Sequence, residues 1–170
     1  MSVANPTPPP RPPLIRHSVT GVGRVFLEMG GSALLRPLLR RLPRGDGHSI
    51  IVLPGFMAAD ASTAGLRSFL NAQGYNAMPW GLGRHGGGDR AASLEAALAA
   101  RSETESRVAA LVQSEFERTG RKVTLIGWGL GGLVAVALAH RHPEWLRRVI
   151  TLGTPYGDPR GTALYRVMSG

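Results

Sequence analysis

The chain has 170 residues, the size of one domain, and its 43% hydrophobic content excludes wholesale disorder. It has no cysteine, which excludes disulfides and cysteine-based zinc sites and fits a cytoplasmic chain. The net charge is +9 with one lysine, Lys122, and aromatics at 6% are not interleaved with the basic residues, which argues against a nucleic-acid partner.

Residues 1–13 hold six prolines and read as a disordered, Pro-rich tail. Residues 14–47 read as a basic helical leader, interrupted at Gly30-Gly31 and Pro37. Positions 1–44 carry seven arginines against Glu28 alone, net +6 (7 − 1). The end of the leader, "RPLLRRLPRG", suits either a solvated basic face or peripheral contact with a membrane surface. The start has no apolar run of the secretory type, and no stretch has the ~18 apolar residues of a transmembrane segment. A cytoplasmic location is the expectation.

Residues 48–170 read as the folded domain. "SIIVL" (49–53) is a buried strand stopped by Pro54-Gly55. Asp60 or Ser62 is expected to cap a helix ending at Gly74. "YNAMPW" is a second strand, and "GLGRHGGGDR" a flexible glycine loop. Residues 91–118 form a long helix closed by Gly120. "KVTLIG" is a third buried strand. It turns sharply at "GWGLGG" into a helix from Leu133 to His140. "RRVITLG" is the fourth strand. Strands alternating with helices predict the α/β class, with parallel strands and crossover helices.

The turn "LIGWGLGG" admits two readings. Gly127, Gly129 and Gly132 match G-x-G-x-x-G, the fingerprint of a dinucleotide-binding module. That reading wants an acid at the end of the next strand, where Thr154 stands instead. The turn also matches a hydrolase nucleophile elbow, G-x-S-x-G, with Gly129 in place of the serine. An elbow needs small residues around the nucleophile, and Gly127, Gly131 and Gly132 supply them. It also needs a second N–H donor from the loop after an earlier strand, which "LPGF" is placed to give.

Four stretches in order, "RRLPRGDGHSIIVLPGFMAADAST", "YNAMPWGLGRHGGG", "KVTLIGWGLGGLVAVALA" and "VITLGTPYGD", carry a resemblance. Together they resemble the N-terminal part of a bacterial α/β-hydrolase of the lipase/esterase type. The resemblance implies a truncated α/β-hydrolase fold: about four parallel strands in the order 2-1-3-4, with helices on both faces. It implies ester or lipid hydrolysis through an acyl-enzyme, without a cofactor or metal. It places Gly129 at the nucleophile position and makes the N–H groups of Phe56 and Leu130 the oxyanion donors. Pro54, Gly55, Gly127, Trp128, Gly131 and Gly132 would form the pocket and elbow, with Trp128 shaping an acyl pocket or packing in the core.

The family's triad also needs an acid and a histidine after later strands. The last histidine here is His142, upstream of the fourth strand. Asp158 follows that strand and reads as a turn residue. His85, in the glycine loop, is the one histidine with a route to the elbow, and it reads as a loop or substrate-rim residue rather than a base. His140 and His142 end a helix, and His17 and His48 have no evident partner. No histidine pair has metal-ligand spacing with a third ligand nearby. The chain alone is thus expected to lack hydrolase activity. The expectation is either a gene fragment or a pseudoenzyme that binds an acyl or lipid ligand. A fourth strand left at the sheet edge, Arg147 to Leu152, is expected to pair with a second copy or another partner.

Overall fold

The computed structural model describes residues 43–86 and 94–155; the Pro-rich tail, most of the leader and Asp158 lie outside them. Pro43–Thr154 form one compact unit. Its elements are β1 (Ser49–Leu53), α1 (Asp60–Ala72), β2 (Asn76–Pro79), α2 (Leu94–Thr119), β3 (Val123–Trp128), α3 (Leu130–Arg141) and β4 (Leu146–Leu152).

The four strands form one parallel sheet in the order β2-β1-β3-β4. The continuous apolar runs follow from this position. All five residues of β1 and the first five of β3 are buried, because a central parallel strand is covered on both faces. One face of the sheet presents Ile51, Leu53, Val123 and Leu125 to Val108 and Val112 of α2 and to Val134, Ala135 and Leu138 of α3. The other presents Ile50, Val52, Ala77 and Ile126 to Leu66 and Leu70 of α1. Helices therefore cover both faces, as expected.

Several boundaries differ from those read in the sequence. The helix expected from Leu133 begins at Leu130, because glycines at 131 and 132 are tolerated where tertiary packing outweighs helix propensity. Asp60 does not cap α1. It is the first helical residue, and its carboxylate instead accepts from the backbone N–H groups of Trp80 (3.1 Å) and Gly81 (3.2 Å). Ser62 donates its hydroxyl to Ala59 O at 2.8 Å. Among the described residues no helix is long and apolar enough to cross a membrane.

Buried polar groups fasten the layers. Glu115 of α2 accepts from Ser49 Oγ of β1 and from Arg118 Nη2 at 2.7 Å. The Arg118 guanidinium beside it holds its carboxyl below the usual range. Glu105 of α2 is 4% exposed and bridges Arg101 (2.8 Å) to Arg141 of α3 (2.9 Å).

Candidate active site

The strand ends at Leu53 and Trp128 bring the "LPGF" loop and the glycine turn together. Gly129 sits between β3 and α3 at φ 53°, ψ −117°, in a region that side-chain-bearing residues enter only under strain. Its N–H donates to Leu152 O at 2.9 Å, and its carbonyl accepts from Gly132 N at 3.1 Å. The turn is thus pinned to β4 and closed on itself.

The four glycines of the turn have different jobs. A Cβ at Gly127 would lie 2.5 Å from Gly131 O and from the Gly132 backbone. One at Gly131 would lie 2.6 Å from Pro54 O. One at Gly132 would strike the Thr154 side chain. These three glycines let strand, helix and neighbouring loops close on one another. Gly129 is different: among the described residues a Cβ there would meet only Gly55 Cα, at 3.8 Å. Among the described residues, position 129 is open.

Leu130 is the first residue of α3, so its N–H belongs to the unsatisfied positive end of the helix. Among the described residues neither the Leu130 N–H nor the Phe56 N–H has an acceptor. Pro54 and Gly55 are buried, and Phe56 is half-buried. Trp128 is 48% exposed and packs beside Gly55. It lies at the surface of the strand ends, not in the core.

Of the loop and rim roles expected for His85, its placement is that of a buried loop residue rather than an exposed rim one. It is 3% exposed, and it clasps the loop that carries Phe56. Its Nδ1 donates to Pro54 O at 2.7 Å. Its backbone carbonyl accepts from Met57 N at 2.8 Å, and its N–H donates to Ala58 O at 2.8 Å. Arg84 donates to Met57 O at 2.8 Å. Together these hold Met57 at φ 59°, a left-handed conformation rare for a non-glycine residue. The Phe56 ring lies against Gly86. The imidazole also meets the Trp80 ring at 4.8 Å between centroids. Burial pushes the His85 pKa down; the bond to Pro54 opposes this more weakly. The described part of the glycine loop, residues 81–86, is therefore a set of bonded turns.

The other described histidines lie away from the turn. His140 and His142 end α3, and His142 stacks on Trp145 with ring centroids 4.0 Å apart. His48, for which the sequence suggested no partner, has three polar side-chain neighbours, one of them Arg147, whose Nη1 lies 3.1 Å from its Nδ1. Its Nδ1 donates to Asp46 Oδ1 at 2.5 Å, and its Nε2 lies 2.9 Å from Thr124 Oγ1. Asp46 and His48 stand two apart just before β1, a local signal. Thr124 is 76 residues away, so that contact is legible only once β1 and β3 are paired. Among the described residues no group of three His, Cys, Asp or Glu side chains is placed to hold a metal ion.

No family model matches the chain. Over 31 residues, 18% of this chain and 5% of the other, it is 61% identical to the biotin biosynthesis bifunctional protein BioHC of Teredinibacter turnerae. Among solved structures it is similar to one of the metagenome-derived lipolytic enzymes LipS and LipT, with a TM-score of 0.50 and 21% identity over 66% of this chain and 44% of that one. The fold is a partial α/β-hydrolase fold. Further likenesses are to the Bacillus licheniformis lipase BlEst2 in mature form (TM-score 0.47, 24% identity, 68% of this chain and 44% of that one). Another is to MGS-MChE2, an α/β-hydrolase from the metagenome of lagoon sediments (TM-score 0.45, 20% identity, 67% and 48%). The chain spans less than half the length of each of these three structures.

Proposed function

We propose that the chain carries the elbow and oxyanion side of a lipase/esterase-type ester-binding site, and that it does not form an acyl-enzyme. The observation that carries this reading is Gly129. It stands at the turn in a conformation that would strain a side-chain-bearing residue, with open space around it among the described residues, and it has no side-chain atom to attack with. The N–H groups of Phe56 and Leu130, without an acceptor among the described residues, support binding of an ester or acyl carbonyl beside it.

The residue after β4 supports this reading over a dinucleotide cradle: a dinucleotide site wants an acid near the end of the strand that follows the glycine turn, and Thr154 stands there. No described histidine is shown beside Gly129: the Nδ1 of His85 is committed to Pro54 O, and His48 lies at the other end of the sheet.

Intact-mass spectrometry after incubation with an alkyl fluorophosphonate tests the reading. The expected spectrum shows the unmodified mass only. A stoichiometric phosphonyl adduct would reveal an activated nucleophile and overturn it.

A further inference from the structure

The N-terminal end of the sheet carries polar machinery that the elbow does not use. His48 is 8% exposed, yet it is held between Asp46 and Thr124. The second Asp46 oxygen accepts from Arg147 at 2.6 Å and from Arg121 at 3.1 Å. Asp46 is thus already neutralised by its own neighbours.

These groups floor a cleft of about 320 Å³ on the α1 side of the sheet. One wall is apolar: Ile50, Ile126 and Ile150, one from each of β1, β3 and β4. Ile150 is 37% exposed, because β4 lies at the sheet edge, two strands from the β1–β2 pair on which α1 packs. The rim is cationic. In a regular strand, consecutive side chains point to opposite faces. Here the register of β4 slips, so that Val123 pairs with Leu146 and Thr124 with Arg148. The bulge leaves Arg147 unpaired and brings both Arg147 and Arg148 to the cleft. Arg44 also lines it. Arg44 and Arg148 have no carboxylate partner among the described residues.

We propose that this cleft binds a medium-chain carboxylate, with its headgroup on Arg148 and Arg44 and its alkyl chain on the three isoleucines. Charge selects the occupant. Three arginines face one aspartate that is already paired, so the rim favours an anion. Size and concavity select a free molecule over a bilayer surface, since the volume lies at the small end of ligand pockets. The site is separate from the elbow, which lies at the C-terminal ends of β1 and β3.

Isothermal titration of the full chain with decanoate tests this. Saturable one-to-one binding is expected, weakened about tenfold by Arg148→Gln, the loss of one charge-assisted contact. Ile150→Asp should weaken it further, and Trp128→Ala, at the elbow, should leave it unchanged. Far-UV circular dichroism of each variant establishes that it is folded. Decanol and decylamine should not compete. The inference is overturned if decanoate does not bind, or if decylamine binds equally well. It is also overturned if phosphatidylglycerol vesicles bind while monomeric decanoate does not. Binding abolished by Trp128→Ala but indifferent to Arg148→Gln would move the ligand to the elbow; that would overturn the cleft and leave the proposed function standing.

Discussion

At the residue scale the four glycines of "GWGLGG" separate by what surrounds them. Gly129→Ser meets space, with its nearest atom 3.8 Å away, but keeps φ at 53°. It should cost about 1–3 kcal/mol of stability from backbone strain alone. Gly131→Ala forces a Cβ to 2.6 Å from a backbone carbonyl, and should cost about 3 kcal/mol, the upper end for overpacking. Urea denaturation of both variants checks the order. That the turn needed small residues was legible from their spacing. That position 129 alone was spatially free was not, because it depends on where Gly55 comes to rest.

His85 gives a second test at this scale. Its folded pKa lies below 6.5, chiefly because burial penalises the charged ring. The unfolded chain therefore binds more protons on the acid side. The contribution of His85 is fully present above the unfolded value and is lost as pH falls below about 6.5. His85→Asn, which removes the titrating group, should show a smaller fall in urea midpoint between pH 7.5 and pH 5.5 than the parent. An equal fall in both would show that the ring is accessible to protons at little cost. The buried ring was misread from sequence because glycines on both sides suggest a mobile loop. The bonds to Pro54, Met57 and Ala58 span some thirty residues and leave no local pattern.

At the scale of elements, the strands were the most legible, since an apolar run between turn residues has few alternatives in an alternating chain. The helix starts were less so. Asp60 has the chemistry of a cap, but its carboxylate is taken by Trp80 and Gly81, twenty residues on. The clasp between α2 and α3 was not legible at all, because Glu105 looks like any surface glutamate until α3 packs across it. Glu105→Ala should destabilise the fold by about 1–2 kcal/mol, modest because both arginine partners are more than half exposed. The same substitution should increase hydrogen exchange in α3 more than in α1, which Glu105 does not touch.

At the scale of the molecule, the order β2-β1-β3-β4 leaves β2 and β4 as edges among the described strands. Ile150 and Leu152 of β4 are 37% and 42% exposed. An apolar edge of this kind offers unpaired backbone groups to another chain. The chain should associate with rising concentration in gel filtration, and Ile150→Lys should shift it towards monomer. The fold follows from the alternation of strands and helices. The proposed lack of chemistry follows from one missing side chain, at position 129, which the motif already singled out in the sequence. Hydrolysis of p-nitrophenyl butyrate by the purified 170-residue chain tests that most directly. The expected rate is that of buffer, for the parent and for Gly131→Ala alike. Turnover of about 1 s⁻¹ or more, lost in Gly131→Ala, would contradict it.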